Sequence, residues 1–99
     1  MANEIKKFVE ESKRLAIEAS KVYQPQVENL VRSKSTDDNK IQLTLDYMLG
    51  FCYDDQMLLL YKKLCRYYLY VNAQATSDYI NYYREMWDTD EKSDDDENV

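Results

Sequence analysis

Histidine is absent from this 99-residue chain, and glycine and proline occur once each. Histidine carries most acid–base and metal-ligand work near neutral pH, so its absence removes the usual catalytic triads and the Glu-x-x-His di-iron bundles. The lone Gly50 cannot build a phosphate loop or a dinucleotide fingerprint, and it leaves no supply of positive-φ residues for tight hairpins. Cysteine is scarce too. Cys52 and Cys65 stand in apolar surroundings with no further ligand near them, too few for a four-ligand zinc site. They read as buried free thiols, which suits a reducing, cytoplasmic setting. The start, Met1-Ala2-Asn3-Glu4, runs into an amphipathic pattern rather than a signal peptide. No apolar run approaches the ~20 residues of a membrane span, because Lys62, Lys63 and Arg66 interrupt the longest one.

What charge there is divides unevenly. The net charge of -6 belongs to the stretch from Asp88 to Val99, where seven acids face only Lys92, leaving twelve bases and twelve acids in residues 1–87. That acidic end has no apolar residue before Val99 and so nothing to offset the entropy of ordering, and residues 89–99 are expected to be a disordered tail. Residues 1–88 are long enough for one domain with one core. The only low-complexity segment is the tail, and no internal repeat is evident.

Apolar spacing of three and four runs through the rest. Ile5, Phe8, Ser12, Leu15, Ala19 and Val22, with Val9, Ala16 and Tyr23 beside them, predict a first helix with one continuous apolar stripe. Pro25 predicts a kink or a restart near Tyr23, after which Val27, Leu30 and Val31 resume the pattern. Ser33 to Asp38 is polar and forms the first loop. Ile41, Leu45, Met48, Leu49 and Cys52 mark a second helix, ended at Gly50 and followed by Asp54-Asp55. From Met57 to Val71 only three residues are charged, so the third helix is expected at the centre, covered on most of its circumference. Asn72, Thr76 and Ser77 offer caps before a fourth helix carrying Tyr79, Ile80, Tyr83, Met86 and Trp87, unless the third continues unbroken. The fold class is therefore all-α, a three- to four-helix antiparallel bundle.

The chemistry candidates reduce to structural roles. Asp37-Asp38 and Asp54-Asp55 sit where helices begin, which capping explains without a metal. No base falls at a recognisable spacing from Cys52, Cys65 or Ser77, so no catalytic residue is assigned, and no cofactor or metal is expected. Lys62, Lys63 and Arg66, with Tyr61, Tyr67 and Tyr70, are too few to make a nucleic-acid groove in an otherwise neutral domain. A helix-turn-helix over residues 41–71 would also need a polar recognition helix, and this one is apolar.

Ten tyrosines remain, more than a small core can hide. Tyrosine combines large apolar area with a polar tip and is enriched at interfaces. The sequence reading is thus a small non-enzymatic interaction or regulatory module that binds a protein partner, or itself as a homodimer, through a tyrosine-bearing face including Tyr67, Tyr70 and Tyr82. The alternative is an acidic decoy whose tail occupies the basic cleft of a nucleic-acid-binding protein.

Overall fold

The computed structural model describes residues 2–88, so the expected tail at 89–99 lies outside the described residues. Four helices follow in order: α1 (Ala2–Arg32), α2 (Asp38–Leu49), α3 (Asp55–Val71) and α4 (Ala73–Trp87). There is no strand among the described residues. The all-α reading holds, with four helices rather than three, and α3 touches each of the other helices. The body is flat, 47 × 39 × 17 Å.

The helix starts are set by local chemistry. Asp37 accepts the Lys40 N–H (3.1 Å) and Asp54 accepts the Met57 N–H (3.0 Å), each satisfying a donor that an α-helix leaves orphaned in its first turn. Asn72 separates α3 from α4 alone. Its backbone is extended (φ -153°, ψ 90°), its N–H closes α3 on Tyr68, and its side chain caps α4 by accepting the Ala75 N–H.

One expectation about α1 is narrowed and another corrected. Of the kink or restart expected at Pro25 the restart is excluded, since the helix runs unbroken through it. Pro25 and Lys21, whose carbonyl loses its partner to the ring, are both exposed, so water can replace the missing bond. The apolar stripe is also not a single core-facing one. Ala16, Ser20, Val27 and Leu30 are buried, while Ile5, Phe8, Leu15 and Val22 are exposed. At ~1.5 Å per residue α1 is about 46 Å long and the 17-residue α3 about 25 Å, so the first third of α1 overhangs the bundle.

The left-handed backbone position falls on a lysine, not on the glycine. Gly50 ends α2 in right-handed geometry (φ -67°), whereas Lys34 closes α1 at φ 55°. Around Lys34 the Ser35 N–H reaches the Leu30 carbonyl (3.1 Å) and the Lys34 N–H the Val31 carbonyl (3.2 Å), the Schellman pattern that favours glycine. Left-handed geometry costs a side-chain-bearing residue ~1–2 kcal/mol, partly offset by glycine's greater freedom when unfolded. Lys34→Gly is therefore expected to stabilise the fold by about 0.5–1 kcal/mol. The urea midpoint should rise with the slope unchanged; a lower midpoint would mean that the lysine side chain contributes more than its backbone strain costs.

The core joins Val27 and Leu30 of α1, Ile41, Leu45 and Met48 of α2, Met57, Leu64 and Tyr68 of α3, and Tyr79 of α4. With only two phenylalanines available, tyrosine fills this core and must bring its hydroxyl along. Tyr68 donates to Asp38 and accepts from Gln42, tying α3 to α2. Tyr61 donates to the Tyr79 carbonyl (2.8 Å), and Tyr79 to Asp46 (2.7 Å), linking α3, α4 and α2. No buried side-chain polar atom among the described residues lacks a partner, as a fold built on buried hydroxyls requires.

Candidate partner-binding groove

α3 is covered on most of its circumference, as expected, but not on all of it. Leu59, Leu69 and Tyr70 are exposed, and a groove of about 300 Å³ opens between α3 and α4. Its α3 wall is Leu58, Tyr61, Cys65 and Leu69, spaced three and four apart on one face, and its α4 wall is Thr76, Ile80 and Tyr83 with the same periodicity. The antiparallel helices separated at Asn72 thus set two stripes side by side. Tyr61 and Tyr83 stack loosely across the trough, ring centres 6.2 Å apart. Lys62 and Arg66, one helical turn apart and both exposed, line it as well.

The groups inside it are held neutral. Burial pushes the Cys65 thiol up to about 12, and burial, reinforced by the nearby Cys65 and Cys52, raises the Tyr61 hydroxyl far above its ordinary range. A thiol that keeps its proton is a poor nucleophile. The groove therefore offers apolar surface flanked by two cations, with no activated base or nucleophile from Tyr61 or Cys65.

The three tyrosines expected to form one partner surface differ in exposure and in contacts. Tyr67 is half-buried and donates to the Ser35 carbonyl, pinning α3 to the α1–α2 loop. Tyr70, near the end of α3, is 89% exposed. Tyr82 is exposed on α4, its ring edge-on to Tyr79 at 5.3 Å, on the flank that packs toward α2. The basic strip divides as well: Lys62 and Arg66 line the groove, while Lys63 is half-buried beside Ser20, Gln24 and Glu28 of α1. Of the tyrosines beside that strip, Tyr61 is buried. The aspartate pairs serve the fold: Asp38 accepts from Tyr68 and Asn72, and these hydrogen bonds hold its carboxyl below the usual carboxylate range.

Ile80 and Leu69 were not singled out as site residues from sequence. Their only signal is helical spacing, which a core residue shares. Comparison with known protein families, with characterised proteins and with solved structures finds no match to this chain.

Proposed function

We propose that this protein is a small non-enzymatic interaction module that takes an amphipathic helix of a protein partner, acidic beside its apolar face, into the groove between α3 and α4. The observation that carries this reading is the trough itself. Apolar side chains at helical spacing on two adjacent helices present the surface on which a third helix lays residues i, i+3, i+4 and i+7. Lys62 and Arg66 beside it select for carboxylates and against basic helices, steering encounter more than adding affinity. Tyr61 and Tyr83 supply rigid aromatic area, the composition of interface centres.

The test uses the full chain and fluorescent amphipathic helical peptides that share one apolar face but carry glutamate or lysine beside it. The glutamate peptide should bind and the lysine peptide bind at least tenfold more weakly. Ile80→Glu, at a partly exposed position, should abolish binding while leaving the melting temperature near that of the parent, and Lys62→Glu with Arg66→Glu should reverse the peptide preference. Removal of residues 89–99 should leave affinity intact. Binding that survives Ile80→Glu overturns the groove as the site. Binding lost only on truncation, with a steep salt dependence, points instead to the acidic decoy.

A further inference from the structure

α3 and α4 read as one helix in sequence and stand as two in the fold. A single residue, Asn72, parts them, whereas helix hairpins ordinarily turn through about two to five. Residues 67–77 hold no charge, glycine or proline, and the buried positions Met57, Tyr61, Leu64 and Tyr68 step by threes and fours through Asn72 to Ala75 and Tyr79 without losing phase. A straight helix from Asp55 to Trp87 would therefore carry one unbroken stripe. What ends α3 is the extended backbone of Asn72, whose side chain accepts the Ala75 N–H (3.0 Å) and donates to Asp38 (3.2 Å).

The packing of the two helices is centred on the same residue. Tyr61 meets Tyr83, each eleven residues from Asn72. The nearest charges on either side, Arg66 and Asp78, stand six residues from it and are opposite in sign. Such a register is unchanged when the α4 that covers α3 belongs to a second copy.

We infer that this chain exchanges α4 with a second copy of itself. Each α3 runs straight through Asn72 into α4, the two long helices lie antiparallel about a two-fold axis at Asn72, and each α4 packs on the other copy's α3. No new complementarity is required. The bonds that fix α4 in the closed chain, from Tyr61 to the Tyr79 carbonyl, from Tyr79 to Asp46 and from Trp87 to the Leu49 carbonyl, re-form between copies. Straightening keeps the backbone bonds from Asn72 to Tyr68 and from Thr76 to Asn72, and it lets the Ala73 and Gln74 N–H groups reach the Leu69 and Tyr70 carbonyls, which the break at Asn72 prevents. It gives up the Asn72 cap, and the two Asn72 amides meet on the axis, where each can donate to the other's carbonyl. The segments brought newly together, residues 69–75, are uncharged, so no like charges are brought face to face.

Closed and exchanged forms thus differ in little beyond the hinge, and concentration decides between them. A tethered α4 is held at an effective concentration on the order of millimolar, so the closed chain prevails in dilute solution and exchange grows as the chain approaches that concentration. The groove keeps its lining residues in either form, with its α3 wall from one copy and its α4 wall from the other, so the exchange is independent of the function proposed there.

The test is sedimentation velocity of the full chain after refolding from urea at about 1 mM and, separately, at about one-hundredth of that. The concentrated sample should contain dimer and the dilute one monomer. Asn72→Ala, which removes the α4 cap and favours the unbroken helix, should raise the dimer fraction at least threefold at intermediate concentration. Insertion of Gly-Ser-Gly after Asn72, which breaks the long helix and lengthens the hinge, should abolish the dimer and keep the helical circular-dichroism spectrum. The exchange itself is read with Leu58→Cys and Tyr83→Cys, on opposite walls of the groove, in a chain carrying Cys52→Ala and Cys65→Ala. A short bis-maleimide should link the two within one chain in the monomer and between chains in the dimer, giving a covalent dimer on a denaturing gel. Parent and Asn72→Ala chains that both stay monomeric after refolding at the higher concentration overturn the inference. A dimer that survives the insertion, or one whose crosslinks stay within single chains, overturns it equally, because the copies would then associate without trading α4.

Discussion

Raising the pH from about 9 to about 12 is expected to unfold this protein cooperatively. Cys52 and Cys65 are buried, and burial pushes both thiols from an ordinary value near 9 up to about 12; Cys52 is raised further by the neighbouring Cys65. Burial also raises Tyr61, Tyr68 and Tyr79, with the hydrogen bonds to Asp38 and Asp46 adding to the shift at Tyr68 and Tyr79. In every case the folded state prefers the protonated form. Below pH 9 folded and unfolded chains are both protonated at these groups, so stability is intact. Above it the unfolded chain releases protons that the folded chain retains, and stability falls as pH climbs toward 12. A tenfold difference in proton affinity corresponds to about 1.4 kcal/mol, so two thiols shifted by even that much withdraw roughly 3 kcal/mol of the ~5–15 kcal/mol typical of a domain.

Far-ultraviolet circular dichroism and tyrosinate absorbance followed together against pH provide the measurement. Helix should be lost in one step, with the buried tyrosines ionising in that same step. The double substitution Cys52→Ala with Cys65→Ala should move the alkaline midpoint upward relative to its own stability at pH 7. Helix that persists while all ten tyrosines ionise would contradict this account, as would an alkaline midpoint indifferent to the thiols.

Leu64→Ala is expected to cost roughly 2–5 kcal/mol. Leu64 is fully buried on α3, the helix that touches all the others, and a truncation there leaves a cavity that α1, α2 and α4 cannot all close in on. Leu69 lies on the same helix but is exposed in the groove wall, so Leu69→Ala should cost less than ~0.5 kcal/mol. Urea denaturation of the pair separates core from surface on one helix, because helix propensity changes equally in both. Equal losses would show that the groove is closed in solution and Leu69 buried, and a loss below ~0.5 kcal/mol at Leu64 would displace α3 from the centre.

Much of the fold was legible in local chemistry. The caps at Asp37, Asp54 and Asn72, and the three-and-four spacing of Ile41, Leu45 and Met48 or Leu64 and Tyr68, act within one or two helical turns. They needed no knowledge of neighbours. Pro25 left a kink and a restart both open, because the cost of a proline in a helix depends on whether its orphaned carbonyl meets water or apolar packing, and that is a property of its surroundings.

Which apolar faces stay open was decided by tertiary structure. On α1 two apolar stripes were available, and only the positions of α2 and α3 determined that Ala16, Ser20 and Val27 turn inward while Phe8 and Leu15 remain outside. On α3 the residues are apolar nearly all round, and the space left by α4 decided that Leu69 lines an open groove while Leu64 is sealed. Among the tyrosines, Tyr67 and Tyr70 differ by three positions, yet one hydroxyl finds the Ser35 carbonyl across 32 residues of chain and the other ring finds only solvent. Periodicity states which residues share a side of a helix. Which side is covered is a statement about the neighbouring helix, and that is written in no single segment of the chain.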